Sequence, residues 1–355
     1  MLHGDSDSDT RSLDAMLCLK RLLIVSPEAD VLLMSAMVSN GYELADWLSA
    51  AYGKDVLAFD AAWKPTRQAR ASLIFNESEI DLLLRQAIKA RRNGKRFDQK
   101  GMRATPFTLV GLKQTWASNA GKDYRILPLS DSPTKLKASV DKWNRVHINP
   151  DAAEIAVDIA FQSAEKGLKT IVFLQSPASA RACVQRVDKR LKRPLELTAP
   201  EESMVEAMAR ELGGEEFVIR PSAVAGAHFG AMLPMERDLV ESAFKRTDGI
   251  GILFSTNTLA QGMNLPADQV IIVRTSMYDP ETESLRQIAA HDLLNAAGRA
   301  GRAGHAANGF VLVIPDRVVT FDAEAGTITG ENIIQLKDAV LSQDDRCLKV
   351  CDPIE

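Results

Sequence analysis

Between Asn295 and Gly304 the chain sets two arginines, Arg299 and Arg302, three residues apart among the glycines Gly298, Gly301 and Gly304. That pattern suits the grip of a phosphate. A guanidinium is always charged and offers a planar fork of N–H donors to phosphate oxygens, while glycine lets backbone approach a bulky anion with no Cβ in the way. Lysine would keep the charge and lose the fork.

Glycine-rich phosphate loops usually follow a strand and open a helix. Here the expected order is reversed: Leu285, Ile288, Ala289, Leu293 and Ala296 recur at helical spacing before the glycines, and the apolar run Phe310 to Ile314 follows them. The glycines are spaced G-x-x-G-x-x-G, so order and spacing both exclude a dinucleotide fingerprint. The plain alternative is a helix-to-strand turn carrying two solvated arginines. A different α/β enzyme using these glycines for a nucleotide would need a strand before Gly298, where the periodicity predicts helix.

Other elements must present this run. Gly251 to Pro266 reads as a buried strand ending in Thr256, Asn257 and Thr258, followed by a short helical turn holding Gly262 and Asn264. Thr170 to Leu174 reads as a second buried strand, after which Ser176 caps a helix with Pro177 at its first position. In open α/β sheets the carboxyl ends of strands are where ligands sit. With Asn295 to Gly304 following in order, the second stretch resembles motif IV, and the first with the arginine run resembles motifs V and VI, of the superfamily-two DEAD/DEAH-box helicases. The sixth motif of the DExH subgroup reads Q-x-x-G-R-A-G-R. His228 and Gly230, followed by Arg237, Val240, Glu241 and Phe244, are similar to the family's H-x-G…R…V-E…F stretch. Ser35, Ala36 and Met37 stand where it has its Ser-Ala-Thr motif III. The resemblance covers nearly the whole chain.

The resemblance implies an α/β fold, a RecA-like doubly wound and mainly parallel sheet, preceded by a remnant of a first lobe. It implies an ATP-dependent nucleic-acid helicase or translocase, with a non-catalytic nucleic-acid-binding remnant as the alternative. Arg302 would be the arginine finger and Arg299 its partner; Gly262, Asn264, Asn295 and Gly298 would serve the nucleotide; Ser176, Thr256 and Thr258 would contact nucleic-acid phosphates; Ser35, Ala36 and Met37 would couple the lobes. Asn295 replaces the usual Gln and Met37 the usual Thr, which puts the coupling in question. His228, on an apolar strand end, is expected as a hydrogen-bonded core residue.

ATP hydrolysis in this family also needs a P-loop, G-x-x-x-x-G-K-[ST], and an acidic box for Mg²⁺. Asp or Arg follows the lysine in Gly53-Lys54, Gly94-Lys95 and Gly121-Lys122, and the sequence has no Asp-Glu dipeptide. Met1 to Asp5 is similar to the apolar-Gly-Asp stretch that follows the acidic box. The expectation is a chain that begins just downstream of that box, leaves the grip on ATP and Mg²⁺ to a missing N-terminal half, and holds no metal of its own.

Composition is that of a globular protein: 355 residues, 46% hydrophobic, 25% charged. Its four cysteines make no disulfide or zinc pattern, no apolar run reaches the ~20 residues of a membrane helix, and the expected location is cytoplasmic. The net charge of −4 hides an asymmetry: residues 61–150 carry 18 Lys and Arg against 7 Asp and Glu, a surplus of +11 that leaves −15 elsewhere. Such a segment marks a polyanion partner. Arg91, Arg92, Lys95 and Arg96 are its densest part, for which nucleic-acid contact and a merely soluble loop weigh equally. Trp63, Phe97, Phe107, Trp116, Tyr124 and Trp143 interleave with it as possible stacking surfaces, although large rings usually belong to the core.

Four regions follow. Residues 1–60 are expected as the tail of the first lobe, with strands at Val31 to Met34 and Val56 to Phe59. Residues 61–150 are expected as a basic connector, 151–316 as the helicase C-terminal RecA-like domain, and 317–355 as an acidic tail leading to a further domain.

Overall fold

The computed structural model describes residues 10–34, 38–59, 67–112, 121–191, 195–256, 265, 267–274, 276–279, 284–287, 296–301, 308–324 and 327–328. They divide into two compact units, residues 1–64 with 343–355, and residues 65–342.

The described part of the first unit is two helices, α1 (Thr10–Val25) and α2 (Gly41–Tyr52), the latter closed by Gly53 at φ 64°. The two strands expected here do not form. Val31 to Met34 and Val56 to Phe59 lie outside any ladder, and Met34 is 85% and Phe59 90% exposed. A continuous apolar run becomes a parallel strand only when neighbouring strands supply its hydrogen bonds.

In the second unit the chain runs β1 (Arg67–Asn76), α3 (Glu77–Arg92), β2 (Arg103–Ala104), β3 (Pro106–Gly111), β4 (Tyr124–Pro128), β5 (Thr134–Val140), β6 (Val146–Pro150), α4 (Ala152–Glu165) and β7 (Thr170–Phe173). It continues through α5 (Pro177–Asp188), α6 (Ala199–Leu212), β8 (Ala225–His228), α7 (Pro234–Lys245), β9 (Ile252–Ser255) and β10 (Gln269–Val273). After β11 (Ser276–Asp279) and β12 (Ser284–Gln287) come β13 (Asn308–Ile314), β14 (Thr320–Asp322) and β15 (Thr327–Ile328).

One mixed sheet organises these elements. Strands β14, β1, β13, β10, β7, β9 and β8 are parallel to their neighbours, with antiparallel β3, β4 and β15 added at the β1 side. Strands β7 to β10 are buried at every position, as the uninterrupted apolar sequences of a sheet covered on both faces demand. Helix α4 turns Ile155, Ala156, Ile159 and Ala160 inward at helical spacing, and Phe75, Phe173, Phe244 and Phe254 fill the core. This is the doubly wound α/β sheet the resemblance implied.

Two expectations change. β1 lies in the stretch expected as a connector, yet Arg70, Ala71 and Ser72 pair with β13 on one side and β3 on the other, making β1 an interior strand of the main sheet. Leu285, expected to begin a helix, lies in β12, which pairs antiparallel with β11. A four-residue strand is too short for periodicity to distinguish from the first turn of a helix. A separate small sheet, β2-β5-β6, carries the other basic strands.

Candidate functional site

The carboxyl ends of β7, β8 and β9 are level: Phe173 and His228 both pair with Ser255. Just beyond them lie Ser176 and Thr256. Ser176 caps α5 as the sequence indicated, its Oγ accepting from Ser179 N at 3.2 Å and lying 2.9 Å from Ser179 Oγ, with Pro177 opening the helix. Thr256 N donates to His228 O at 3.1 Å, which locks the end of β9 to that of β8. The result is a partly exposed row of hydroxyls and a helix start, a neutral donor set suited to phosphate oxygens.

His228 belongs to the framework of this row. It is 2% exposed, with Nε2 3.3 Å from Glu241 Oε1. Burial holds its pKa below the ordinary histidine value, against the opposing pull of Glu241.

The arginine run occupies the other edge of the sheet. Arg299 N donates to Ala296 O at 3.1 Å and Ala300 N to Ala297 O at 3.0 Å, forming a tight turn. Ala267, just before β10, receives Gly301 N on its carbonyl at 2.9 Å and donates its own N–H to Arg299 O at 3.2 Å. Gly301 has φ +63°, and a Cβ there would stand 2.6 Å from Gly309 N, so this glycine is required for both conformation and approach. Arg299 is 6% exposed and thus held within its own lobe, whereas Gly298 is exposed. From Gln269, beside this turn, to Ile272, level with Phe173, is roughly 10 Å of strand.

Sequence reasoning missed the residue that fastens the turn. Gln68 of β1 donates through Nε2 to Ala297 O and Ala300 O, both at 2.9 Å, and buried Arg70 donates to Gln68 Oε1 at 3.4 Å. No local signal marks Gln68, because its partners lie more than two hundred residues away.

Arg91, Arg92, Lys95 and Arg96 stand at the end of α3 and the loop after it, beside the small sheet rather than on the hydroxyl row. Trp143, expected in the core, is 66% exposed. Arg302, Gly262, Asn264, Asn295, Thr258, Ser35, Ala36 and Met37 lie outside the described residues. Among the described residues no three His, Cys, Asp or Glu side chains gather as a metal site, and no helix is long and apolar enough to cross a membrane.

Comparison with known proteins finds a domain family for part of this chain. Residues 152–304 match the helicase conserved C-terminal domain. Superkiller complex protein 2 of Homo sapiens is 25% identical over 311 residues, which is 83% of this chain and 23% of that protein. The U5 small nuclear ribonucleoprotein 200 kDa helicase of Caenorhabditis elegans is 45% identical over 75 residues, 21% of this chain and 3% of the relative. Activating signal cointegrator 1 complex subunit 3 of Danio rerio is 43% identical over 77 residues, 22% of this chain and 5% of the relative. The chain therefore spans less than a quarter of the length of these curated relatives.

Proposed function

Through the helicase C-terminal domain at residues 152–304 the chain belongs with the DExH-type helicases, and from that premise we propose that it works as the second RecA-like lobe of an ATP-dependent nucleic-acid motor. One observation carries the proposal. A single sheet holds the hydroxyl row of Ser176 and Thr256 at its carboxyl edge and the arginine turn at its amino edge, the latter fastened by Gln68 and Ala267. A rigid lobe with an anion grip at each edge transmits a displacement at one to the other.

In this reading Ser176, Thr256 and Thr258 hold backbone phosphates of nucleic acid, which needs donors without base specificity. Arg302 is the arginine finger. Gly298 brings backbone close to the nucleotide, Gly262, Asn264 and Asn295 serve it as well, and Ser35, Ala36 and Met37 couple the lobes. Arg299, buried in the turn, has the lesser role of shaping it. By residue type Arg302 has the donor fork for the γ-phosphate of ATP, which when bound supplies the phosphoryl group whose transfer drives the motion. A guanidinium delivered by this lobe stabilises charge on that group only when the lobes close, which couples hydrolysis to movement. Mg²⁺ and the remaining phosphates fall to a first lobe bearing a P-loop and acidic box. Free thiols at Cys18 and Cys183 suit a reducing, cytoplasmic location. The absence of a P-loop from these 355 residues favours, as a second reading, a nucleic-acid-binding lobe without turnover of its own.

The test mixes the purified chain with a first-lobe polypeptide carrying P-loop and DExH motifs and measures ATP hydrolysis with and without nucleic acid. The chain alone should show none, and the mixture should show stimulated turnover. Turnover by the chain alone that disappears in Arg302→Ala would mean that the catalytic apparatus has been misplaced.

A further inference from the structure

The turn joining β5 and β6 is unusually well fixed. The Asp141 carboxylate accepts from Trp143 N at 2.9 Å and Arg145 N at 2.8 Å, and lies 2.9 Å from His147 Nε2. Asn144 N donates to Asp141 O at 3.1 Å, and Asn144 sits at φ 70°, a left-handed conformation that asparagine tolerates. This rigid tip holds an indole in solvent, with Lys142 Nζ 4.4 Å from its ring centroid. Trp commonly buries 150–250 Å², so a turn that presents one outward gives up a large hydrophobic gain.

The end of α3 is tied beside the tip at two points. Arg91 Nη2 donates to Asn144 Oδ1. Gln99 Nε2 donates to Ala138 O at 3.1 Å and Ala138 N donates back to Gln99 Oε1 at 3.3 Å. Arg92, Lys95 and Arg96 lie on the stretch between these anchors, all exposed, alongside exposed Lys142 and Arg145 of the tip. The acids present are engaged in loop building, Asp141 as above and Asp98 by accepting from Lys100 N at 3.1 Å and Gly101 N at 3.2 Å. None of Arg92, Lys95, Arg96, Lys142 and Arg145 forms an ion pair with a described residue.

We propose that the β5–β6 tip and the end of α3 form a second nucleic-acid surface, on which a base of a single strand stacks on Trp143 while Arg92, Lys95, Arg96, Lys142 and Arg145 hold the flanking phosphates. A single strand is the ligand because stacking needs an unpaired base face, and an aromatic platform beside a cationic track is the sequence-tolerant way to bind one. The surface stands on the small sheet, separate from the sheet carrying Ser176 and Thr256. It rests on the motor reading only for the choice of nucleic acid over other polyanions.

The experiment titrates the full chain into a fluorescein-labelled oligouridylate of about 12 nucleotides, a length within the span of known single-strand sites, and follows anisotropy over a salt series. Trp143→Ala should weaken binding about tenfold with the salt slope unchanged, and Trp143→Phe should restore most of the loss, as stacking requires. Changing Arg92, Lys95 and Arg96 together to Glu should reduce the slope of log K against log salt by about 2, at about 0.7 per phosphate of a single strand. Wild-type binding by Trp143→Ala overturns the proposal, as does a loss that Phe leaves unrepaired. A variant carrying Ser176→Ala and Thr256→Ala separates the readings. If it binds normally while Trp143→Ala does not, the hydroxyl row fails and the second surface stands; the reverse pattern sinks the second surface alone.

Discussion

Gln68 and Ala300 are 232 residues apart in the chain, yet the Gln68 side chain donates to the Ala300 carbonyl at 2.9 Å and to Ala297 O at the same distance. One amide group thereby supplies a donor to Ala300 O at the end of a turn, where intrahelical donors run out, and a second donor to Ala297 O beside Ala300 N. Gln68→Glu keeps the shape and replaces the donor with an acceptor facing two acceptors. Chemical denaturation should show a loss of about 1–3 kcal/mol, and Gln68→Ala, which adds no repulsion, should lose less. Equal stability of Gln68→Glu and wild type would mean that the turn stands without this clamp.

Gly301 offers a steric counterpart. Gly301→Ala imposes both a left-handed φ of +63° and a Cβ 2.6 Å from the backbone of Gly309, which has no flexible end to move aside. A loss on the order of 3 kcal/mol or more is expected. Gly213→Ala, at φ +84° with nothing within 4 Å, isolates the conformational part and should cost only about 1 kcal/mol. Thermal melts of the two variants should differ clearly; a match would show that Gly309 moves freely.

Reconstituted turnover should separate the two arginines. Arg302→Ala should lower nucleic-acid-stimulated hydrolysis by about 10³ to 10⁵, the usual effect of losing an arginine finger, and Arg302→Lys should rescue little because the planar fork is gone. Arg299→Ala should also lower the unfolding midpoint, since Arg299 is buried in its lobe. Nearly full stimulated turnover in Arg302→Ala would leave the run from Gly298 to Gly304 as a turn and nothing more.

His228 makes stability depend on pH in a known direction. Burial, reinforced by Arg237 and opposed by Glu241, depresses its native pKa, so the unfolded chain, with an ordinary value near about 6.5, takes up the proton more readily. The stabilising contribution is complete above that value and is lost as pH falls through the lower native one. Urea midpoints at pH 7.5 and 5.5 should therefore differ more for wild type than for His228→Gln, whose side chain does not titrate; identical differences would refute the assignment.

Much of the site was legible because its signals are local. Ser176 followed by Pro177 announces a capped helix, and the uninterrupted apolar runs of β7, β9 and β13 announce strands covered on both faces. The spacing of Arg299, Gly301 and Arg302 announces a glycine-relieved turn, which Gly301 at φ +63° forms. These features need only neighbours along the chain.

Long-range pairing decided the rest. β1 mixes charged and apolar residues, and only β13 and β3, far off in sequence, make it an interior strand and place Gln68 under the arginine turn. The converse holds for Val31 to Met34 and Val56 to Phe59, which are apolar enough for strands but lie outside any ladder. Trp143 follows the same logic: its ring identity predicted burial, and the hydrogen bonds around Asp141 hold it in solvent instead. A backbone ladder and a fixed turn both depend on partners, and composition specifies a residue's preference without specifying whether its partner arrives.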